Sequence, residues 1–214
     1  IRARLPISAT PLLTLIYMSG KLAGSSDGAF VDDVDGLLRA LRGFRPRPEI
    51  EIEEIPAPAK LASHGFAMLA ECFDGELEVA NGRFVLLHEP GGQETWGGDL
   101  RAVTFIKADI EQEMGADPLL PQVGWSWFEE SLSDLDATHL SGTVTLALSS
   151  AFGELADRAS QSELEIRASW TLGASTVSEV LDHLERWTEL LAHCAGLPPL
   201  SQGDGISTMV RRNK

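Results

Sequence analysis

His88 and Glu89 stand side by side at the end of an apolar run, with Glu94 a few residues on and Asp109 further along. An imidazole titrates near neutrality, so beside a carboxylate it could serve as half of an acid/base pair. Joined by Asp109, the same groups could hold a hard cation. Against this, neighbouring residues of a strand point to opposite faces, so His88 and Glu89 cannot readily converge on one ion. The plainer reading is that His88 ends a strand and the acids are solvated. Asp109, Glu111, Glu113 and Asp117 form an acidic run, but a calcium loop needs glycine where Met114 stands. His183 and His193 would lie about 80° apart around a helix and about 15 Å along it, so they cannot share a metal. His64 and His139 have no partner in sequence, Ser126 lacks the G-x-S-x-G elbow, and neither Cys72 nor Cys194 lies in a C-x-x-C. No catalytic residue, metal or cofactor is therefore assigned, and His88, Glu89, Glu94 and Asp109 carry only the least favoured, enzymatic reading.

Two tryptophan and glycine clusters point instead to recognition. Gly91-Gly92-Gln93-Glu94-Thr95-Trp96-Gly97-Gly98 and Gly124-Trp125-Ser126-Trp127 flank the strand-like run Leu100 to Ile110 and hold three of the five tryptophans. Glycine permits positive φ and close backbone approach, and tryptophan offers the largest apolar area with one N–H to satisfy. The expected binding residues are Gln93, Glu94, Trp96, Trp125 and Trp127, with Trp96 and at least one of the other two tryptophans at loops. Anchoring of those loops on the sheet is the competing account. Trp170 and Trp187, at apolar positions of a strand and a helix, belong to a core.

The elements that must position these residues follow from periodicity. Phe30, Val34, Leu37, Leu38 and Leu41 recur at helical spacing, and Gly43 sits where a C-cap would. Glu49 to Glu53 alternates at period two, the pattern of an edge strand guarded by charge. Residues 57–73 pull both ways: alanines favour helix, while Phe66, Met68, Ala70 and Cys72 alternate. A short helical turn after Pro58 followed by a strand is the expectation. Phe84 to Leu87 and Ala102 to Ile106 read as strands joined by a wide glycine-rich hairpin. Pro121 to Leu135 reads as a connector helix, with Trp125, Phe128 and Leu132 on one face. Thr143 to Leu148 and Leu164 to Trp170 return to period two. Thr176-Val177-Ser178-Glu179 is a capping box, the apolar stripe from Val177 to Cys194 follows it, and Gly196 with Pro198-Pro199 ends the helix.

With 214 residues and a formal charge of −15, the chain is long enough for a real core and too acidic to bind a phosphate backbone without a local basic patch, and none is visible. Nucleic acid is excluded on that ground. Solubility is the plain reading of the acidity, and steering toward a basic partner the sharper one. Two cysteines far apart fit buried thiols in a reducing compartment. Leu12 to Met18 falls short of the ~20 residues a membrane span needs, and no clean cleavage site follows it. The expected organisation is a disordered or spurious extension over 1–26, one domain over 27–200, and a mobile tail over 201–214 of a cytoplasmic protein.

Several phrases together resemble a known family. They are Val85-Leu86-Leu87-His88-Glu89-Pro90 with Gln93-Glu94-Thr95-Trp96, Ala116-Asp117-Pro118-Leu119-Leu120-Pro121 with Gly124-Trp125-Ser126-Trp127, Glu165-Ile166-Arg167-Ala168-Ser169-Trp170, and Ala195-Gly196-Leu197-Pro198-Pro199-Leu200. In that order, over roughly Phe30 to Leu200, the chain is similar to an actinobacterial family known as a domain of unknown function, DUF3000-like. The resemblance implies an intracellular actinobacterial protein and carries over no activity and no site residues.

The sequence thus predicts an α+β domain: an antiparallel sheet of about five strands covered by a long C-terminal helix and shorter helices. Its leading functional reading is a non-enzymatic protein-interaction or regulatory module using the Trp/Gly surface. The alternative is a small-ligand binder with a tryptophan-lined pocket. Neither partner, ligand nor oligomeric state is named by the sequence.

Overall fold

A computed structural model describes residues 34–157 and 159–200. The expectations for residues 1–26 and 201–214, and for Phe30 in the first helix, lie outside the described residues. The chain runs α1 (Val34–Gly43), β1 (Ile50–Ile55), β2 (His64–Asp74), β3 (Leu77–Gln93), β4 (Gly98–Ile110), α2 (Gln112–Gly115), α3 (Leu120–Ser131), β5 (Ala137–Ser149), a single 3-10 turn (Gly153–Leu155), β6 (Gln161–Leu172) and α4 (Val177–Cys194). Among the described residues six strands form one antiparallel sheet in the order β1-β2-β3-β4-β6-β5. The class is α+β as expected, with six strands rather than about five.

The strand expected in the ambiguous segment 57–73 is present as β2. Phe66, Met68, Ala70 and Cys72 are all buried on one face of β2, which is paired on both sides, so tertiary pairing overrides the helical preference of the alanines. No helix forms after Pro58; residues 56–63 are turns and bends, with Lys60 at φ 69°. β1 is an edge strand as its charges predict, with Glu51 and Glu53 exposed opposite the buried Ile50.

Period two divides the sheet into two unlike faces. Phe66, Met68, Phe84, Leu86, Ile106, Leu164, Ile166 and Trp170 face the helices and form the main core with Leu37 and Leu41 of α1, Phe128 of α3 and the stripe of α4. The opposite face has a small core of Ala67, Val85, Leu87, Trp96 and Val103, against which Ala57, Leu61 and Ala62 pack from the 56–63 segment. Elsewhere that face is charged, with Lys107 paired to Glu163, Arg167 paired to Glu165, and the Arg167 guanidinium 5.0 Å from the Phe105 ring centre.

α4 is held at both ends by local chemistry. Thr176 Oγ1 accepts from Glu179 N, and the Glu179 carboxylate accepts from Thr176 N, so the capping box is complete. At the other end Gly196 takes φ 74°, Leu197 N donates to Ala192 O, and Gly196 N donates to His193 O, closing a Schellman motif. Between them Trp187 enters the sheet. Its ring fills the space over Gly82, where an added Cβ would come within 3.0 Å, it contacts Phe84 at 5.3 Å between centroids, and its Nε1 donates to Thr104 Oγ1 at 2.6 Å. Cys72 and Cys194 are free and buried, and burial pushes their thiols up to about 11 and about 12, so neither is a thiolate near neutrality.

Replacing Trp187 by Ala should destabilise the protein by about 3–5 kcal/mol, read as a lower urea midpoint at constant slope. An unchanged midpoint would show that α4 does not hold the sheet. A second expectation concerns pH. Trp170 Nε1 donates to His183 Nδ1 at 3.2 Å, which requires that nitrogen unprotonated, and burial lowers the pKa of His183 from 6.5 to about 4. The unfolded chain therefore takes up this proton first as pH falls. Stability from the neutral imidazole is full above about pH 6.5 and is lost progressively toward pH 4, by up to about 3 kcal/mol. Urea midpoints from pH 7.5 to 4 should fall in the parent and fall less steeply in His183→Gln; parallel curves would refute the assignment.

Candidate functional site

The four residues with acid/base or metal-binding chemistry are dispersed. His88 is on the helix-covered face of β3, 5% exposed, with its ring stacked on His64 of β2 at 5.6 Å between centroids. Burial, and then the neighbouring His64, lowers its pKa. Glu89 turns the other way, where Ser63 N and Oγ donate to its carboxylate at 2.8 and 2.7 Å and hold its pKa below the usual carboxylate range. Glu94 is exposed on the turn between β3 and β4. His88 pairs with Leu100, and Asp109 lies a further 109 − 100 = 9 residues along β4, roughly 30 Å away at the rise of a strand. There, burial and then Glu163 raise its pKa. These four side chains do not meet. Among the described residues no three His, Cys, Asp or Glu form a group able to hold a metal ion.

The glycine loop is also placed differently from the expectation. Trp96 was expected at a loop surface, but it is 4% exposed and forms part of the second core. The loop reaches the sheet because Gly97 adopts φ 71°, a position where a Cβ would sit 2.5 Å from the His139 ring. Gln93 Nε2 donates to Leu61 O at 3.0 Å, tying the loop to the 56–63 segment. Gln93 and Trp96 therefore act as anchors, the competing reading of this loop.

Beneath Trp96 lies a residue that the sequence reading passed over. Arg101, 3% exposed, donates to Ser169 Oγ at 2.6 Å, Thr171 Oγ1 at 2.9 Å, His139 O at 3.0 Å and Ser141 Oγ at 3.3 Å. Thr171 Oγ1 in turn donates to Trp96 O at 2.6 Å. No carboxylate reaches this guanidinium among the described residues, and burial lowers its pKa to about 10, so it stays charged at neutral pH. The His139 carbonyl is available because β5 bulges between Thr138 and Ser141, with His139 at φ 52°. The available signal was a lone arginine inside the apolar run Leu100 to Ile106.

Trp125 and Trp127 lie within α3 rather than at a loop. Two residues apart on a helix, they point in nearly opposite directions, about 200° around the axis. Trp125 packs on Phe128 at 5.0 Å and over β5, where a Cβ on Gly142 would come within 2.8 Å of its ring. Trp127 faces α4 and meets His193 edge-on at 4.8 Å between centroids. These two rings line a cleft of about 240 Å³ between α3, α4 and the Leu197–Pro199 segment. Arg47 forms one wall, its side chain 3% exposed, donating to Glu49 Oε2 and to Pro198 O at 3.0 Å each. Glu189 lies 3.5 Å from Arg47; its pKa is raised by burial, with Arg47 opposing. At the rim Arg186 is paired with Asp134, and Glu130 is exposed. Since Trp96 is on the other face of the sheet, the two Trp/Gly clusters do not share one surface. Of the five expected binding residues, only Trp127 lines this cleft.

The two exposures give opposite expectations for stability. Trp96→Ala empties the small core and should cost on the order of 3 kcal/mol, whereas Trp127→Ala, at the cleft wall, should cost about 1 kcal/mol or less. Thermal melts of the two variants would test this, and equal shifts would contradict the placement of Trp96.

Residues 32–204 match the model of a family described as a protein of unknown function, DUF3000. No curated protein and no solved structure matches the chain. Among the described residues no helix is long and apolar enough to cross a membrane. The family match spans most of the 214 residues, and the chain belongs to the DUF3000 family.

Proposed function

We propose that this chain is a non-enzymatic recognition module, and that its binding site is the cleft between α3 and α4, which takes a basic side chain of a protein partner. The observation that carries this reading is Trp127, a partly exposed tryptophan set edge-on to His193 inside a cleft rimmed by Glu130 and Glu189. An aromatic face with carboxylates beside it attracts a lysine or arginine head through the ring quadrupole and through charge. The cleft's own cations are already engaged, Arg47 by Glu49, Glu189 and Pro198 O and Arg186 by Asp134, which leaves Glu130 as the rim carboxylate without an ion-pair partner among the described residues. A formal charge of −15 adds long-range attraction for a basic partner. The volume, about 240 Å³, is below the ~300–1,000 Å³ of typical small-ligand pockets, which favours a single side chain over a drug-sized ligand.

The test is capture by the full chain from a lysate of its host, identification of the captured protein, and titration of its basic segment as a synthetic peptide by tryptophan fluorescence. Trp127→Ala should weaken binding at least tenfold, and Glu130→Gln should weaken it several-fold with a shallower salt dependence. The pair His88→Ala with Glu94→Gln should leave binding unchanged. Full retention of binding by folded Trp127→Ala would defeat the proposal.

A further inference from the structure

The two edges of the sheet are unlike. β1 carries Glu51, Glu53 and Glu54 among six residues, and Arg42 of α1 is laid against it through paired hydrogen bonds to Glu54 at 2.7 and 2.9 Å. Charge of this kind blocks pairing with another strand. β5, at the opposite edge, runs for thirteen residues, ATHLSGTVTLALS, with neither a formal charge nor a proline. It pairs with β6 on one side, and among the described residues no strand pairs with the other. The bulge at His139 disturbs its beginning, but Ser141 to Ser149 forms an uninterrupted ladder with β6, about 30 Å long.

Exposed apolar side chains lie at the same end of the sheet. Leu148 at the end of β5 is 64% exposed, Phe152 in the following connection 81%, and Leu155 49%. Met114 of α2 is 40% exposed, next to Gly115, where a Cβ would come within 3.1 Å of Leu148.

We infer that β5 pairs antiparallel with β5 of a second copy of this chain, joining the two sheets into one of twelve strands about a two-fold axis at Thr145. Self-pairing suits this edge because an isologous contact places each residue against its own strand's sequence, and β5 brings no like charges together. β1 paired with itself would set glutamates against glutamates. Two chains of charge −15 repel one another, so an uncharged edge is where they can approach at least cost. This interface is separate from the cleft at Trp127.

Sedimentation equilibrium of the full chain should give a dimer of the 23.1 kDa subunit at tens of micromolar, with dissociation weakened as salt screens the repulsion. Thr145, exposed on the edge, is the position to vary. Thr145→Lys should give a monomer with an unchanged circular dichroism spectrum and the melt that the parent shows when diluted to a monomer. Thr145→Cys should form an intersubunit disulfide on mild oxidation, since directly opposed residues place their Cβ atoms about 4.5–5.5 Å apart. A monomeric parent at 100 µM, including one that instead takes up an unrelated peptide strand, overturns the inference. So does a dimer that survives Thr145→Lys and fails to cross-link.

Discussion

The docking of Trp187 is the contact on which the rest of the molecule depends. A helix can lie flat on a twisted sheet only where its largest side chain has a place to go, and here the sheet supplies both space and a hydrogen-bond acceptor. Gly82 leaves the space, and Thr104, on the neighbouring strand, accepts the indole N–H at 2.6 Å. Phe84 and Trp170 pack 6.0 Å apart, and Phe128 of α3 meets Trp170 at 5.6 Å, so the same aromatic cluster also seats α3. The relative position of α3 and α4 then fixes the cleft between them. An unsatisfied indole or a void at this point would be felt in all of these contacts, because packed interiors relax only in part.

Helices cover one face of the sheet, and the other face had to be closed by different means. A loop folds back to bury Trp96, the 56–63 segment adds Ala57, Leu61 and Ala62, and the remainder carries cross-strand ion pairs that water can solvate. Arg101 sits where the small core gives way to this polar region. Its charge is met by hydroxyls and a carbonyl rather than by a carboxylate, and the positive-φ backbone at His139 supplies that carbonyl. Strain of one residue is offset by a hydrogen bond to a buried cation. The glycine loop therefore reads as architecture, while Trp127 stays partly exposed on the helical side.

Local signals in the chain were sufficient for the elements with strong periodicity. The capping box at Thr176, the αL glycine at Gly196, the stripe ending at Cys194 and the alternation of Ile50 and Ile52 with glutamates each name a conformation without reference to distant residues. The core roles of Trp170 and Trp187 followed from their place in that periodicity, and both are 1% exposed. Trp96 was less legible. Its glycine neighbours signal an irregular backbone, but the direction of the loop is set by Thr171, His139 and Leu61, which are 75, 43 and 35 residues from Trp96 in the chain.

By itself, then, the sequence determined the α+β class, the charge-guarded edge, the capped helix over Val177–Cys194 and the buried state of the two thiols, because each depends on side-chain period, capping or burial within one segment. Only the tertiary structure decided that no helix forms over residues 56–63, that the two Trp/Gly clusters occupy opposite faces, that Trp127 and His193 share a cleft, and that Arg101 is buried among hydroxyls. Those outcomes depend on which strands become neighbours and on which face a loop closes. Such choices are settled by packing between segments far apart in the chain, and a local period carries no record of them.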